Sequence, residues 1–176
     1  MNSNSSYYHP SHDEWLDMVN EYDVVIGKKR RSEVYSEGLK NFRVVNAFLV
    51  NSQKCLWIPR RAAHKQIFPL CLDLSMGGHV ESGESYDYAF KRELSEELNM
   101  QVTQVDVRLM CYLTPYNHAV SAFMCVYEIR TDETPDYNKN DFIESFWLSP
   151  QQVLERLDQG ERAKDDLPKL IRYLYQ

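Results

Sequence analysis

No stretch of this 176-residue chain is apolar over enough length to cross a bilayer, and its start, MNSNSSYYHP, has neither the basic nor the apolar block of a secretory signal. The expected compartment is the cytoplasm, with no membrane partner. A basic surplus is also missing. Twenty Lys and Arg against 26 Asp and Glu leave a formal charge of −6, which argues against an extended nucleic-acid surface but leaves room for a small phosphorylated ligand. The four cysteines, Cys55, Cys71, Cys111 and Cys125, have apolar neighbours and no CxxC spacing, the pattern of buried free thiols rather than of a zinc site or a disulfide framework. Internal repeats and low-complexity blocks are absent too. What is present, 43% hydrophobic and 26% charged residues, is the composition of one folded globular domain of ordinary size.

Residues 1–20 are expected to form an N-terminal extension, partly disordered or a short helix in which Trp15, Leu16, Met18 and Val19 stand at mixed helical spacing. Residues 21–176 are expected to be a single domain. Within it, 22–35 suggests a strand and then a basic turn at Gly27, and 43–50 and 55–59 suggest a hairpin turning at Asn51-Ser52-Gln53. Further strands are expected over 102–113, 119–129 and 142–148. Helices are expected over 150–159, with Pro150 in the first turn, and over 167–175, with Leu170, Tyr173 and Leu174 facing inward. Strands on both sides of a loop and helix suggest a mixed sheet covered by helices on both faces.

The most informative stretch is GGHVESGESYDYAFKRELSEELNM, Gly77 to Met100. It reads as a glycine loop feeding a helix over 86–98, with Ser85 as N-cap, Glu84 and Asp87 near the positive end, and Asn99 as a left-handed stop. At about 100° per residue, Glu93, Glu96 and Glu97 share one face beside an apolar stripe of Phe90, Leu94 and Leu98. Like charges at this spacing repel. Either the face is solvated and balanced by Lys91 and Arg92, or it gathers oxygen ligands for a hard divalent cation.

From Gly78 the pattern runs Gly, five residues, Glu84, seven residues, Arg92-Glu93-Leu94, one residue, Glu96-Glu97, one residue, Asn99-Met100. It resembles the signature of the Nudix hydrolases, with Asn99 replacing the final glycine of the pattern. The resemblance implies an α/β fold, the Nudix α/β/α sandwich with a central mixed β-sheet. It also implies a hydrolase that cleaves a diphosphate linked to another moiety, using Mg²⁺ with Mn²⁺ as the alternative. Glu93, Glu96 and Glu97 would hold the metal together with the carbonyl of Gly77 or Gly78, while Glu84 and Arg92 would tie loop to helix. Ala89, one turn before Glu93, either leaves room for the loop or serves helix propensity alone. The general base is sought in a later loop at Asp141 or Glu144, with Glu128 as runner-up. The partner implied is a phosphorylated small molecule, and a homodimer is left open.

FRVVNAFLVN and WIPRRAAHKQIFP, followed by GGHVESGES, look like the active-site region of type 1 isopentenyl diphosphate isomerases, which share the fold. By that likeness Arg61 and Lys65 are diphosphate-binding candidates, and His79 and His118 are candidates for phosphate contacts or loop hydrogen bonds. The departures favour hydrolysis. Gly77 stands where the isomerase cysteine would be, Asn41 or a neighbour replaces its metal-binding histidine, and Tyr116 and His118 fall on its later Glu-x-Glu pair. A non-catalytic domain that senses a nucleotide or sugar phosphate is the alternative, with isomerase chemistry behind it. Trp57, Phe68, Tyr116 and Tyr137 are the aromatic candidates for stacking on a base.

Overall fold

The computed structural model describes residues 13–176, so the polar start, 1–12, lies outside the described residues. Where a short helix was expected, the chain opens with strand β1 (Trp15–Val19), paired antiparallel with β2 (Val25–Arg30). Leu16 and Met18 are buried while Trp15 is exposed and Asp17 half-buried, so the period of two prevails over the helical reading. The expected basic turn is likewise strand through Arg30, followed by α1 (Arg31–Ser36).

The main sheet begins with β3 (Arg43–Val50), buried on both faces, which suits its near-continuous apolar run. After a turn come β4 (Leu56–Arg61) and then β5 (Met76–His79), so the Gly77-Gly78 pair is strand, not loop. Next are α2 (Tyr86–Leu98), a 3₁₀ turn at Val102–Gln104, β6 (Asp106–Leu113), α3 (Pro115–His118) and β7 (Phe123–Arg130). The chain closes with β8 (Phe142–Leu148), α4 (Pro150–Asp158) and α5 (Asp166–Tyr175).

The strand order is β6-β7-β3-β4-β8, with β5 also paired to β3. β3 and β7 run parallel and the remaining pairs antiparallel, which makes the sheet mixed. Val45, Ala47 and Leu49 of β3 pack against Phe90, Leu94 and Leu98 of α2 on one face. Phe48 packs with Leu167, Leu170 and Ile171 of α5 on the other. The result is an α/β/α sandwich. Tyr173 does not face inward as expected. It is 58% exposed, because the buried face of α5 is centred on Leu167, Leu170 and Ile171. A third small cluster, Leu16, Met18, Val34, Phe42 and Ala122, fastens β1 and α1 to the sheet.

Candidate active site

Helix α2 starts and stops where its capping residues dictate. Ser85 Oγ accepts from the Tyr88 N–H at 3.2 Å, and Asn99 adopts φ 52° and ψ 31°. Carbonyls in its last turn are answered by the 131–141 loop. The Asn138 N–H donates to Glu97 O at 2.7 Å, and Asn138 Nδ2 donates to Glu96 O at 3.4 Å. The Asn99 amide in turn donates to Asp136 O, pinning the loop over the helix end.

The three box glutamates do not share one environment. Glu93 is 9% exposed and Glu97 is half-buried with a strongly desolvated carboxylate, whereas Glu96 turns to solvent. Arg92 organises two of them. Its Nε and Nη2 each donate to Glu84 at 2.9 Å, its Nη1 donates to Glu93 Oε1 at 2.7 Å and to Glu96 Oε2 at 3.3 Å, and Nη2 also reaches His79 O at 2.9 Å. These bonds hold the Arg92 proton and raise its pKa. Arg92→Met keeps the stem but strands two carboxylates. A loss of about 3 kcal/mol is expected, the low end for breaking a buried pair from one side, since the side chain keeps some solvent contact. Urea denaturation measures it, and a loss below about 1 kcal/mol would mean the network is effectively solvated.

The pleat of β5 decides what each glycine does. Gly77 pairs with Asn46 and Gly78 with Val45, so the two residues face opposite sides of the sheet. A Cβ on Gly78 would lie 1.9 Å from Glu93 Oε1, and one on Gly77 would lie 2.5 Å from Asn46 Oδ1. The Gly77 N–H also donates to Glu97 Oε2 at 3.0 Å. Ala89 is fully buried in the same layer.

Burial dominates the electrostatics. Desolvation pushes Glu93 up to about 7 against the lowering pull of Arg92. Glu97 is raised well above the usual carboxylate range, first by desolvation and then by the charges of Glu93 and Asp141, with the Gly77 N–H opposing and Asp73 adding to the rise. Among the described residues Glu97 has no ion-pair partner.

Arg61 and Lys65 flank this acidic centre through its neighbours. Arg61 Nη1 donates to Asp73 Oδ2 at 2.6 Å, and Lys65 Nζ contacts Asp141 Oδ1. Asp141 is thus brought to the glutamates, but Glu144 is not. Residue 143 is an extra residue opposite Arg60/Arg61, and this bulge inverts the pleat, so Glu144 joins Arg60 on the opposite face. Arg60 there also binds Glu161 and lies over Phe146. Glu128 faces that side as well, bonded to Arg130 Nε at 3.2 Å and Tyr175 Oη at 3.3 Å.

The phosphate role considered for His79 meets a ring that is already engaged. His79 Nδ1 lies 3.2 Å from Glu14 Oε2 and Nε2 is 2.9 Å from Tyr35 Oη, while burial lowers the pKa despite Glu14. His118 Nδ1 accepts from the Thr114 N–H at 3.1 Å. Of the aromatic candidates, Trp57 is core, packed on Tyr137 and Phe142, and the exposed Tyr116 lies edge-on to Phe123. Phe68 is half-buried with φ 52°. All four cysteines are free.

Asp73, Glu14, Asp17 and Asn138 are site neighbours that the sequence reading did not single out. Asp73 had a signal, a lone acid in the apolar run Cys71-Leu72-Asp73-Leu74, where a buried carboxylate needs a partner such as Arg61. The others are brought in by tertiary contacts with no local pattern.

Among the described residues, no three His, Cys, Asp or Glu side chains already stand arranged to hold a metal ion. Glu93 is engaged by Arg92 and Glu96 points outward. The donor chemistry still fits a hard divalent cation. Of the two desolvated carboxylates, Glu93 meets the Arg92 guanidinium while Glu97 receives the Gly77 N–H and no cation, and a desolvated carboxylate of that kind is charged only when paired or bound to metal.

A family model described as the NUDIX domain matches residues 40–170. A protein of Nostoc sp. named as a Nudix hydrolase is 64% identical over 162 residues, covering 92% of this chain and 96% of its own. A Nudix hydrolase of Deinococcus radiodurans is 48% identical over 164 residues, 93% of this chain and 95% of that one. A crystal structure of a D. radiodurans protein superposes with a TM-score of 0.88 at 47% identity, over 93% of this chain and all of that one. MutT, from a study of the Aliivibrio salmonicida and Vibrio cholerae proteins, is similar at TM-score 0.55 and 20% identity, a likeness of fold alone. No helix among the described residues is long and apolar enough to cross a membrane.

Proposed function

Because the chain belongs to the NUDIX domain family, whose hydrolases act on phosphorylated small molecules, we propose that it is a Mg²⁺-dependent pyrophosphatase. Its substrate would be a nucleoside diphosphate derivative or a related small molecule, cleaved at the diphosphate. The observation that carries this reading is the desolvated Glu93–Glu97 pair set against Gly77-Gly78, with Arg61 and Lys65 beside it.

Glu93, Glu97 and the exposed Glu96, with a carbonyl of the glycine pair, would hold Mg²⁺ or Mn²⁺. The bound cation supplies charge neutralisation of the diphosphate and an activated water. Arg92 and Glu84 fix the helix and loop that carry these ligands. Lys65 and Arg61 orient the diphosphate, each exchanging part of its present carboxylate partnership for phosphate oxygens. Asp141, on the box face, is better placed than Glu144 to take the proton of the attacking water. Within the family we place the chain in the branch resembling type 1 isopentenyl diphosphate isomerases, but as a hydrolase. Gly77 offers no thiol for proton transfer, and Tyr116 and His118 are engaged with Phe123 and Thr114. Its compartment in this reading is the cytoplasm, and a second copy of the chain is a candidate partner.

The test is turnover of nucleoside diphosphates, nucleotide sugars, dinucleotides and capped RNA, with Mg²⁺ and with chelator. Hydrolysis of at least one class that ceases on chelation is expected. A folded sample inert toward every class in Mg²⁺ would overturn the proposal.

A further inference from the structure

The β1–β2 hairpin and α1 precede the residues that the family model matches, which begin at residue 40, yet they grip the segment that connects the glycine pair to α2. One edge of β1 is paired with β2. Its other edge meets this segment, with Leu16 bridged antiparallel to Glu81 and the Ser82 N–H donating to Trp15 O at 2.7 Å. Asp17 uses both carboxylate oxygens on it, accepting from Ser82 Oγ at 2.7 Å and from the Gly83 N–H at 3.0 Å, where Gly83 has φ +90°. At the near end of the segment, His79 is held between Glu14 and Tyr35, and its carbonyl receives Arg92.

We propose that this hairpin is a positioning element of the active site, with Asp17 as its principal residue and the Glu14–His79–Tyr35 contact as its second hold. The inference rests on the hydrolase reading above. Residues 80–85 connect two rigid elements whose relative placement sets the distance between Gly78 and Glu93. The segment is held at one end by the Val80 N–H on Arg43 O at 3.0 Å, and at the other by Arg92 on Glu84 and by the turn in which Glu84 N donates to Glu81 O at 2.9 Å. The hydrogen bonds of Ser82 and Gly83 in its middle, among the described residues, go to β1. Asp17 supplies two acceptors at the point where the chain reverses, and His79 fixes the carbonyl on which Arg92 leans. Displacing this segment moves Arg92 and Glu93 together. Asp17 thus acts on the ligands through the backbone and touches no substrate.

The test uses the full chain and two independent readouts. Mn²⁺ binding is followed by the electron paramagnetic resonance of free Mn²⁺, and kcat and KM are measured on whichever diphosphate the wild type hydrolyses. Asp17→Ala should weaken Mn²⁺ binding and lower kcat by about tenfold each, the lower range for losing a group that orients metal ligands, with KM within about twofold. The Ser82 and Gly83 amides should exchange faster while those of β7 do not. Asp17→Asn, which keeps one acceptor, should fall between. Ser121→Ala, which removes a remote hydroxyl bonded to Asp166, serves as a stability control with unchanged Mn²⁺ binding. A folded Asp17→Ala within twofold of wild type in both readouts overturns the inference, and if that variant does not fold, Asp17→Asn decides by the same criterion. A wild type that binds no Mn²⁺ overturns the hydrolase reading itself, a separate result.

Discussion

Glu97→Gln is expected to lower metal-dependent turnover by about 10³-fold, the upper range for removing one electrostatic group from a catalytic centre, while leaving the fold intact. The asymmetry follows from where Glu97 sits. Its half-buried carboxylate is raised by desolvation and by Glu93 and Asp141, and among the described residues it receives only the Gly77 N–H, at 3.0 Å. A Gln carbonyl can accept that same bond, so the backbone of β5 keeps its partner. What disappears is the capacity for negative charge, which only a bound cation makes worth desolvating. The melting temperature should therefore stay level or rise, because one desolvated carboxylate that repels its neighbours has been removed. The measurement pairs kcat with thermal denaturation in chelator. Turnover within tenfold of wild type would show that Glu97 is not a metal ligand. A domain that only senses nucleotides would have had no turnover to lose.

Much of this site was legible because its sequence signals are local. Ser85 and Asn99 mark the ends of α2 by capping chemistry, which depends on neighbours a few residues away, and the helix runs over 86–98 as expected. Strands β3 and β8 also have the expected bounds, since their apolar runs lie between turn residues. The features that were not legible depend on partners far along the chain. Gly77 and Gly78 look like loop residues until β3 is placed beside them. WLDMV carries alternation compatible with a strand, but five residues do not decide between periods of 2 and 3.6, and pairing with β2 does. The side of the sheet that Glu144 faces is set by one extra residue, which no local pattern marks. The bulge at 143 sends it to the α5 side while Asp141, three residues earlier, stays with the glutamates. Arg60 and Arg61 illustrate the same point, as adjacent guanidinium groups bound to Glu144 and Asp73 on opposite faces.

The second large effect is expected from adding a single methyl group. Gly78→Ala should lower kcat by about 10²-fold, the cost of a catalytic group misplaced by roughly 1 Å, with a stability change of about 1 kcal/mol or less. The new Cβ would lie 1.9 Å from Oε1, 2.0 Å from Cδ and 2.6 Å from Oε2 of Glu93, so the two cannot coexist in their present positions. Every one of those atoms belongs to the end of a flexible side chain, so the carboxylate moves and the strand does not have to. Gly78 is not among the residues with positive φ, and alanine can adopt its backbone without strain. Reduced freedom of the unfolded chain then offsets part of the cost, by about 0.4–1 kcal/mol for such an exchange. Ser121→Ala, a remote change at a hydroxyl bonded to Asp166, is the control, and its turnover should be unchanged. A Gly78→Ala protein as active as the control would mean that Glu93 works equally well from a displaced position. Loss of fold would mean that the collision is taken up by the backbone. The expected combination, a stable protein with little turnover, would assign Gly78 to making room for the Glu93 carboxylate rather than to turning the chain.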